Sequence, residues 1–221
     1  MSPHTALVTG GSRGIGAAIV SRLTGEGWNV LAPTRSELDL SDRDSVERYL
    51  DSLGPVGGLV LNAGVNHPRP FGEISEESWT QTVRTNTESA LRILQHVAPK
   101  MSQHGGGRIV AISSAYAVRS REGRAAYSAS KAALESLIRS VTVEYASHGV
   151  LANAVAPGFV DTELTRLNND EASIARLLER VPVGRLAEPQ EIARTVAFLL
   201  SPENRYISGQ VLSVDGGWAC T

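Results

Sequence analysis

The sequence is poor in cysteine and has no long apolar run. Its single cysteine, Cys220, cannot form an internal disulfide, which is typical of a reducing compartment, and we expect the cytoplasm. No apolar segment approaches the roughly 18 residues of a membrane-spanning helix, and the N-terminus lacks the pattern of a signal peptide. A net charge of -2 offers no basic surface to nucleic acid or to an anionic membrane. We therefore expect small-molecule partners, with no nucleic acid and no membrane.

Apolar segments alternate with helical patterns along the chain. The strand candidates are continuously apolar, which indicates burial on both faces. They are "TALVTG", "NVLAP", "GGLVLNAG", "GRIVAISS", "VLANAVAP" and "GQVLSVDGG". The alternation predicts an α/β fold: a single domain over residues 1–221 with a Rossmann-type, doubly wound parallel sheet flanked by helices on both faces. We expect the irregular segment around 161–188 to be a substrate lid.

The connection after the second strand candidate is unusually short. A doubly wound fold normally places a helix, a short strand and another helix there, but "TRSELDL" leaves no room for the first helix. We expect "ELDL" to be at most a minimal strand and "SDRDSVERYLDSL" to be the next helix, capped by Asp42.

A glycine turn, "TGGSRGIG", joins the first strand candidate to the first helix candidate. Its glycines permit positive φ and let backbone N–H groups approach a phosphate, which a helix N-terminus also attracts. No Gly-Lys-Ser/Thr follows, so the turn is not a P-loop. It predicts a pyrophosphate site, and the alternative is a plain strand-to-helix turn.

The end of the second strand indicates which dinucleotide fits. A carboxylate there takes the ribose 2′-hydroxyl of NAD(H), whereas arginine accommodates the 2′-phosphate of NADP(H). The segment "APTRS" offers Thr34 and Arg35 but no carboxylate, and Arg13 adds a guanidinium in the glycine turn. NADP(H) is therefore favoured over NAD(H), and the alternative is that both arginines are solvated surface charges.

The segment "AAYSASKAAL" places one of the chain's two lysines four residues after a tyrosine. This spacing puts Tyr127 and Lys131 on one face of a helix. A phenol has a pKa of about 10, but an adjacent ammonium favours the phenolate and lowers that pKa, so proton exchange with a hydroxyl or carbonyl becomes feasible. The alternative is a buried tyrosine beside a lysine that reaches towards solvent.

Two serines end the strand candidate before that helix. The hydroxyl of Ser113 or Ser114 can donate to a substrate oxygen there. A serine nucleophile is less attractive, because neither serine lies in a G-x-S-x-G elbow and the five histidines fall outside these motifs. With one cysteine and no H-E-x-x-H, the sequence predicts no metal site. Arg119, Arg121 and Arg124 precede the tyrosine and could meet an anionic substrate or carrier; because arginine is most often a surface residue, we assign none of them to the site.

In this order, the motifs resemble those of a classical, single-domain short-chain dehydrogenase/reductase. The resemblance extends from "TGGSRGIG" through "LNAG", "TN", "ISS", "YSASK" and "NAVAPGFVDT" to "ISGQVLSVDGG". It implies that Tyr127 is the catalytic acid/base and that Lys131 lowers its pKa and binds the nicotinamide ribose. It also implies that Ser114 polarises the carbonyl and that Asn86 holds a water in the proton relay.

The resemblance further implies cofactor contacts besides Tyr127 and Lys131. They are Gly10, Ser12, Arg13, Gly14, Ile15 and Gly16 in the phosphate turn, Asp39 and Leu40 at the adenine, Asn62, Ala63 and Gly64 beside the adenosine ribose, and Pro157, Gly158, Val160 and Thr162 at the nicotinamide. The short connection after the second strand departs from the family pattern.

The C-terminal third is most similar to β-ketoacyl-ACP reductases, although many alcohol dehydrogenases of the family share it. The resemblance implies an NADPH-dependent reductase that converts a ketone, such as a free or carrier-bound 3-oxoacyl thioester, to a secondary alcohol. It also implies a homotetramer. The alternatives are an NAD-dependent secondary-alcohol dehydrogenase and a non-catalytic nucleotide-sensing regulator; a regulator needs the glycine turn but not the catalytic residues.

Overall fold

A parallel sheet of six strands organises the chain. The computed structural model describes residues 4–167 and 169–221; residues 1–3 and 168, which belong to the predicted domain and lid, lie outside the described residues. The strands are β1 (Thr5–Val8), β2 (Asn29–Leu31), β3 (Gly58–Leu61), β4 (Gly107–Ile112), β5 (Val150–Pro157) and β6 (Val211–Val214). Their order is β2-β1-β3-β4-β5-β6, and all neighbours are parallel. The predicted doubly wound sheet is confirmed.

Helices connect the strands and cover the sheet. Within the described residues they are α1 (Gly14–Gly25), α2 (Arg43–Ser52), α3 (Glu76–Val83), α4 (Ser89–Gln103), α5 (Ala125–Tyr145), α6 (Glu163–Leu167), α7 (Glu171–Leu178) and α8 (Pro189–Leu200). A π-helical turn, Arg84–Glu88, joins α3 to α4. In the described ranges, none of these helices has both the length and the apolar character needed to cross a bilayer.

Both faces of the sheet are buried because successive strand residues point to opposite sides. In β1, Leu7 belongs to the core beneath α2, α4 and α5, whereas Ala6 and Val8 pack on the other face with α1 and α8. Leu59 and Val60 divide in the same way in β3. This two-sided burial explains why the strands are continuously apolar in sequence.

The connection between β2 and α2 is a turn. The Thr34 N–H and hydroxyl donate to the Glu37 carboxylate at 2.7 and 2.8 Å, and residues 33–42, all of them described, contain no strand. "ELDL" therefore forms no strand, because local hydrogen bonds fold this stretch into a turn. Asp42 caps α2 as predicted, accepting from the Asp44 N–H at 3.0 Å.

The segment 161–188 is an excursion that begins and ends at the same place. The Asp161 N–H donates to the Ala187 carbonyl at 2.8 Å, and the Ala187 N–H donates to the Phe159 carbonyl at 2.9 Å. Between these points lie α6 and α7, and Asp170 caps α7 by accepting from the Ser173 N–H at 2.8 Å. The excursion therefore starts next to the carboxyl end of β5.

Candidate active site

A cavity of about 470 Å³ opens at the carboxyl ends of β1, β3, β4 and β5. Doubly wound sheets bind their ligands at this edge. The wall formed by the described residues includes every residue that the sequence assigns to the site except Thr34 and Asn86. Motifs from distant parts of the chain therefore surround one space.

The glycine turn forms a cradle at the N-terminus of α1. Gly10 and Gly14 have φ of 66° and 54°, a region that favours glycine. The residue that precedes α1, Arg13, gives the helix no side-chain cap, so the first N–H groups of α1 are left for a ligand. The Asn62 amide donates to the Thr9 and Gly10 carbonyls at 3.0 and 2.9 Å and fixes the turn from β3. This geometry fits a pyrophosphate.

The loop after β2 brings Arg35 to the cavity but not Thr34. The Thr34 hydroxyl is bound to Glu37, which holds it within the loop. Arg35 lines the cavity, is largely exposed, and forms an ion pair with Asp39 at 3.2 Å. Asp39 and Leu40 also line the cavity. Of the two residues predicted to meet a 2′-phosphate at this strand end, only the guanidinium of Arg35 is therefore in place.

Asn86 supports the cavity wall from behind. Its Oδ1 accepts from the Val65 N–H at 2.8 Å, and its Nδ2 donates to the Val65 carbonyl at 2.9 Å and to the Ser130 hydroxyl at 3.0 Å. A Cβ at Gly64 would lie 3.3 Å from both Asn86 Oδ1 and Lys131 Nζ, so glycine at this position leaves room for both groups. The Asn86 side chain is therefore bound to the protein itself, and the water-holding role that the resemblance implies stays a prediction.

Lys131 lies in the cavity wall but is nearly inaccessible, with 2% of its surface exposed. Its Nζ donates to the Ile112 carbonyl at the end of β4 at 2.7 Å. Burial lowers the pKa of Lys131 to about 8. The ammonium is therefore still the main form at neutral pH, held between the end of β4 and α5.

The phenol of Tyr127 faces the same cavity. Burial, the largest influence, raises the pKa of Tyr127, while the Ser114 hydroxyl and the Arg124 guanidinium act in the opposite direction. Lys131 Nζ lies 5.7 Å from the centre of the Tyr127 ring and is bound to Ile112. The expected lowering of the Tyr127 pKa by Lys131 is therefore absent from this geometry, and the cation that favours the phenolate is Arg124.

The two serines after β4 have different partners. Ser113 Oγ donates to the carboxylate of Glu135 at 2.6 Å, and both groups are buried. Ser114 Oγ accepts from the Tyr116 N–H at 3.1 Å, which leaves its own proton to donate, and it interacts with the Tyr127 phenol. Ser114 rather than Ser113 therefore has a hydroxyl that can donate to a ligand in the cavity, and its role at a substrate carbonyl stays a prediction.

Of the three arginines that the sequence left unassigned, Arg121 and Arg124 line the cavity, and Arg124 is the buried one. It is 7% exposed rather than a surface residue, lines the cavity, and directly precedes α5. Its distance of three residues from Tyr127 and seven from Lys131 could have identified it, because these spacings place all three side chains on one helical face.

The end of β5 and the excursion complete the wall. Pro157, Gly158, Val160 and Thr162 line the cavity, as predicted for nicotinamide contacts. A Cβ at Gly158 would lie 2.7 Å from the Asp215 Cα, so this turn requires glycine. The described part of the excursion also lines the cavity, through Glu163, Thr165, Asn169 and Leu177.

Comparisons with known proteins match the whole chain. The family described as "Enoyl-(Acyl carrier protein) reductase" matches residues 32–219. The chain is 38% identical to 3-oxoacyl-(acyl-carrier-protein) reductase FabG of Vibrio cholerae, over 96% of each chain. The family model begins directly after β2 and does not include the glycine turn, whereas the FabG match covers 96% of the chain.

Solved structures agree in fold. A blue fluorescent protein from a metagenomic library, in complex with NADPH, superposes with a TM-score of 0.88 at 34% identity over 97% of each chain. A gluconate 5-dehydrogenase from Burkholderia cenocepacia, in complex with NADP and tartrate, gives a TM-score of 0.90 at 28% identity, over 100% of this chain and 97% of the other. From its motifs, its fold and these relatives, the chain belongs to the short-chain dehydrogenase/reductase family.

Proposed function

We propose that the chain is an NADPH-dependent oxidoreductase that reduces a ketone to a secondary alcohol. The observation that carries the proposal is the convergence of Ser114, Tyr127 and Lys131 on one cavity whose wall also contains the glycine cradle. The FabG relative is named as a 3-oxoacyl-(acyl-carrier-protein) reductase, and a protein of the same fold was solved with NADPH. Both support this reaction and this cofactor.

Each side chain has a distinct role in the reduction. NADPH, when bound, supplies the hydride that the carbonyl carbon accepts. Tyr127 gives its phenolic proton to the carbonyl oxygen, while Ser114 donates a hydrogen bond to that oxygen and stabilises its developing charge. Lys131, cationic below its pKa of about 8 and held at the Ile112 carbonyl, is available to bind the nicotinamide ribose, whereas Arg124 is the cation that stabilises the phenolate that remains. The reverse oxidation uses the same groups in their opposite protonation states.

The residues of the cavity fit the nucleotide. Gly10, Gly14 and Gly16 leave the backbone of the turn open to a pyrophosphate, and the N-terminus of α1 favours its charge. Arg35 lies at the strand end where the ribose 2′-phosphate is recognised in doubly wound folds. No carboxylate precedes it at this strand end, which favours NADP(H) over NAD(H).

Replacing Arg35 by alanine is expected to lower kcat/KM for NADPH by about 10- to 100-fold and to change kcat/KM for NADH little. A charge-assisted hydrogen bond to the 2′-phosphate is lost with NADPH, and NADH has no phosphate at that position. Initial rates with both nucleotides measure the change.

Arg43→Ala is the matched control, because Arg43 is also an exposed arginine in an i,i+4 ion pair, with Glu47, but lies outside the cavity wall of the described residues. Arg43→Ala should change kcat/KM for neither NADPH nor NADH. If the wild type binds NADH more tightly, or if Arg35→Ala weakens both nucleotides equally, the preference for NADP(H) is wrong and the NAD-dependent alcohol dehydrogenase is favoured.

A direct assay tests the reaction. The wild-type chain is expected to oxidise NADPH when an acetoacetyl thioester is added, with one alcohol formed per NADPH consumed, as measured by absorbance and product analysis. Binding of NADPH without turnover of the thioester, or of cyclic and aryl ketones, would instead support the nucleotide-sensing regulator.

The excursion, defined here as residues 161–188, is proposed to act as a lid on the substrate. Arg13 of the glycine turn and Glu163 of α6 approach within 3.6 Å, and both are exposed. A Cβ at Gly14 would lie 3.3 Å from the Thr162 side chain. The lid is therefore close to the cradle, and its described side chains would contact a bound nucleotide.

We further propose that the chain forms a homotetramer and acts in the cytoplasm. Large apolar side chains are exposed on α4, α5 and α8, namely Leu91, Val143 and Phe198, and Val143 is 85% exposed. Burial of such side chains between subunits would remove apolar surface from water. The single cysteine is consistent with a reducing compartment.

A further inference from the structure

Arg124 is buried in the cavity wall, and two of the three nitrogens of its guanidinium have no hydrogen-bond partner among the described residues. Arg124 is 7% exposed, and these two nitrogens are Nε and Nη1. All ion pairs in residues 4–167 and 169–221 involve other side chains. A buried charge is normally paired, so this cation is arranged for a partner that the chain does not supply.

Its neighbours do not replace that partner. The Arg124 Cζ lies 5.8 Å from the centre of the Tyr116 ring, a contact that compensates a cation only in part. Arg121, whose Nη1 donates to the Tyr116 hydroxyl at 3.4 Å, adds positive charge to the same wall. Burial lowers the pKa of Arg124, and Arg121 adds to that effect. The wall therefore favours an anion.

The position of Arg124 in the fold indicates which ligand carries this anion. Arg124 directly precedes α5, three residues before Tyr127, and both residues line the same cavity. The two groups also influence each other electrostatically. The dinucleotide phosphates are accounted for at the ends of β1 and β2, whereas Arg124 follows β4. The anion would therefore belong to the substrate.

A second unpartnered atom lies in the same wall. Asn66 Oδ1 is buried and has no hydrogen-bond partner among the described residues. Its loop is joined to the Arg124 segment by a hydrogen bond from the Arg69 N–H to the Gly123 carbonyl at 3.2 Å. Because an amide oxygen accepts, Asn66 Oδ1 requires a donor and cannot pair with the anion itself, so it indicates only that the ligand beside this part of the wall is polar.

We propose that Arg124 binds a carboxylate carried by the substrate close to its carbonyl group, so that small oxo acids are preferred over neutral ketones of the same shape. The planar guanidinium matches a carboxylate with two parallel hydrogen bonds, whereas an ester or thioester offers it only neutral acceptors. This inference rests on ketone reduction as the proposed function and specifies the substrate class of that site.

Matched substrates test the proposal at saturating NADPH. Acetoacetate and levulinate are compared with their methyl esters, and the wild type is expected to show a kcat/KM at least about 10-fold higher for each acid. Arg124→Met should lower kcat/KM for the acids at least about 10-fold more than for the esters, with Arg124→Lys in between, because the acids lose the ion pair in addition to any effect on Tyr127. Arg139→Met, an exposed arginine of α5 outside the described cavity wall, is the control and should change nothing.

Three results would overturn the carboxylate site. They are equal kcat/KM for acids and esters in the wild type, a preference for esters, or an equal loss on both substrates in Arg124→Met with a shifted pH profile. The last would show that Arg124 acts through Tyr127. Reduction of an acetoacetyl thioester in the same assays would mean that the proposed function survives.

A complete lack of NADPH consumption would instead contradict the proposed function. In that case, thermal unfolding still tests whether Arg124 binds a carboxylate. Millimolar levulinate is expected to raise the Tm of the wild type but not that of Arg124→Met, since a ligand stabilises the fold that binds it. An equal Tm shift in both chains, or no shift in either, would overturn the carboxylate site. The Tm of Arg124→Met without ligand shows whether the variant folds.

Discussion

Replacing Tyr127 by phenylalanine is expected to lower kcat for ketone reduction by at least about 1000-fold while leaving the Kd for NADPH within about threefold. The substitution removes the proton that the carbonyl oxygen receives. It keeps the ring that packs beneath the Lys131 ammonium, whose Nζ remains bound to the Ile112 carbonyl. Initial rates with an acetoacetyl thioester measure kcat, and nucleotide fluorescence measures Kd.

Tyr145→Phe provides the matched control on the same helix. Tyr145 ends α5, packs partly buried against the core, and lies outside the described cavity wall. Its loss of a hydroxyl should leave kcat unchanged. Full activity of Tyr127→Phe would refute the assignment of the acid/base. A weakened NADPH affinity of the same size as the loss in kcat would show that the phenol serves binding rather than proton transfer.

Replacing Gly16 by alanine is expected to lower the free energy of unfolding by about 2 kcal/mol or more and to weaken NADPH binding at least 10-fold. A Cβ at this position would overlap the Gly10 carbonyl oxygen and lie 2.6 Å from the Asn62 amide nitrogen. The turn would have to open, and its N–H groups would move away from the pyrophosphate. Urea unfolding at equal protein concentration and nucleotide titration measure the two effects.

Gly25→Ala separates the clash from the general effect of a glycine in a helix. Gly25 ends the same helix, and a Cβ there meets nothing within 4 Å. Because alanine is the better helix former, Gly25→Ala should keep NADPH binding and stabilise the fold by up to about 1 kcal/mol. If Gly16→Ala behaves like Gly25→Ala, the close packing of the turn does not determine the cradle.

The fold was predictable because each strand carries its own signal. Continuous apolar segments ending at glycine, serine or proline predicted all six strands, and the residue pattern at Asp42 predicted the cap of α2. The glycine turn and the Tyr127–Lys131 spacing predicted one site because the carboxyl ends of parallel strands meet at one edge. These are local patterns whose three-dimensional consequence follows from topology.

Features that depend on burial and on side-chain partners were not predictable. The direction of the Tyr127 pKa shift depends on how much water the fold excludes. The hydrogen bonds of the Asn86 side chain depend on a π-helical turn, which no sequence pattern predicted. Thr34 is held by Glu37, because a hydroxyl in a turn bonds to nearby polar groups. Arg124 was left out because arginine is usually exposed, although its spacing from Tyr127 pointed inwards.

If Arg35 recognises the 2′-phosphate as proposed, the turn after β2 makes coenzyme choice a separable property of this enzyme. Its polar contacts are mostly local: Arg35 pairs with Asp39 at 3.2 Å, and Asp39 accepts from the Ser41 N–H at 2.9 Å. Leu38 anchors the turn in the core. Since no strand or helix of the sheet framework runs through residues 33–42, all of which are described, evolution can exchange these few residues and retune nucleotide selectivity while the catalytic machinery after β4 stays untouched.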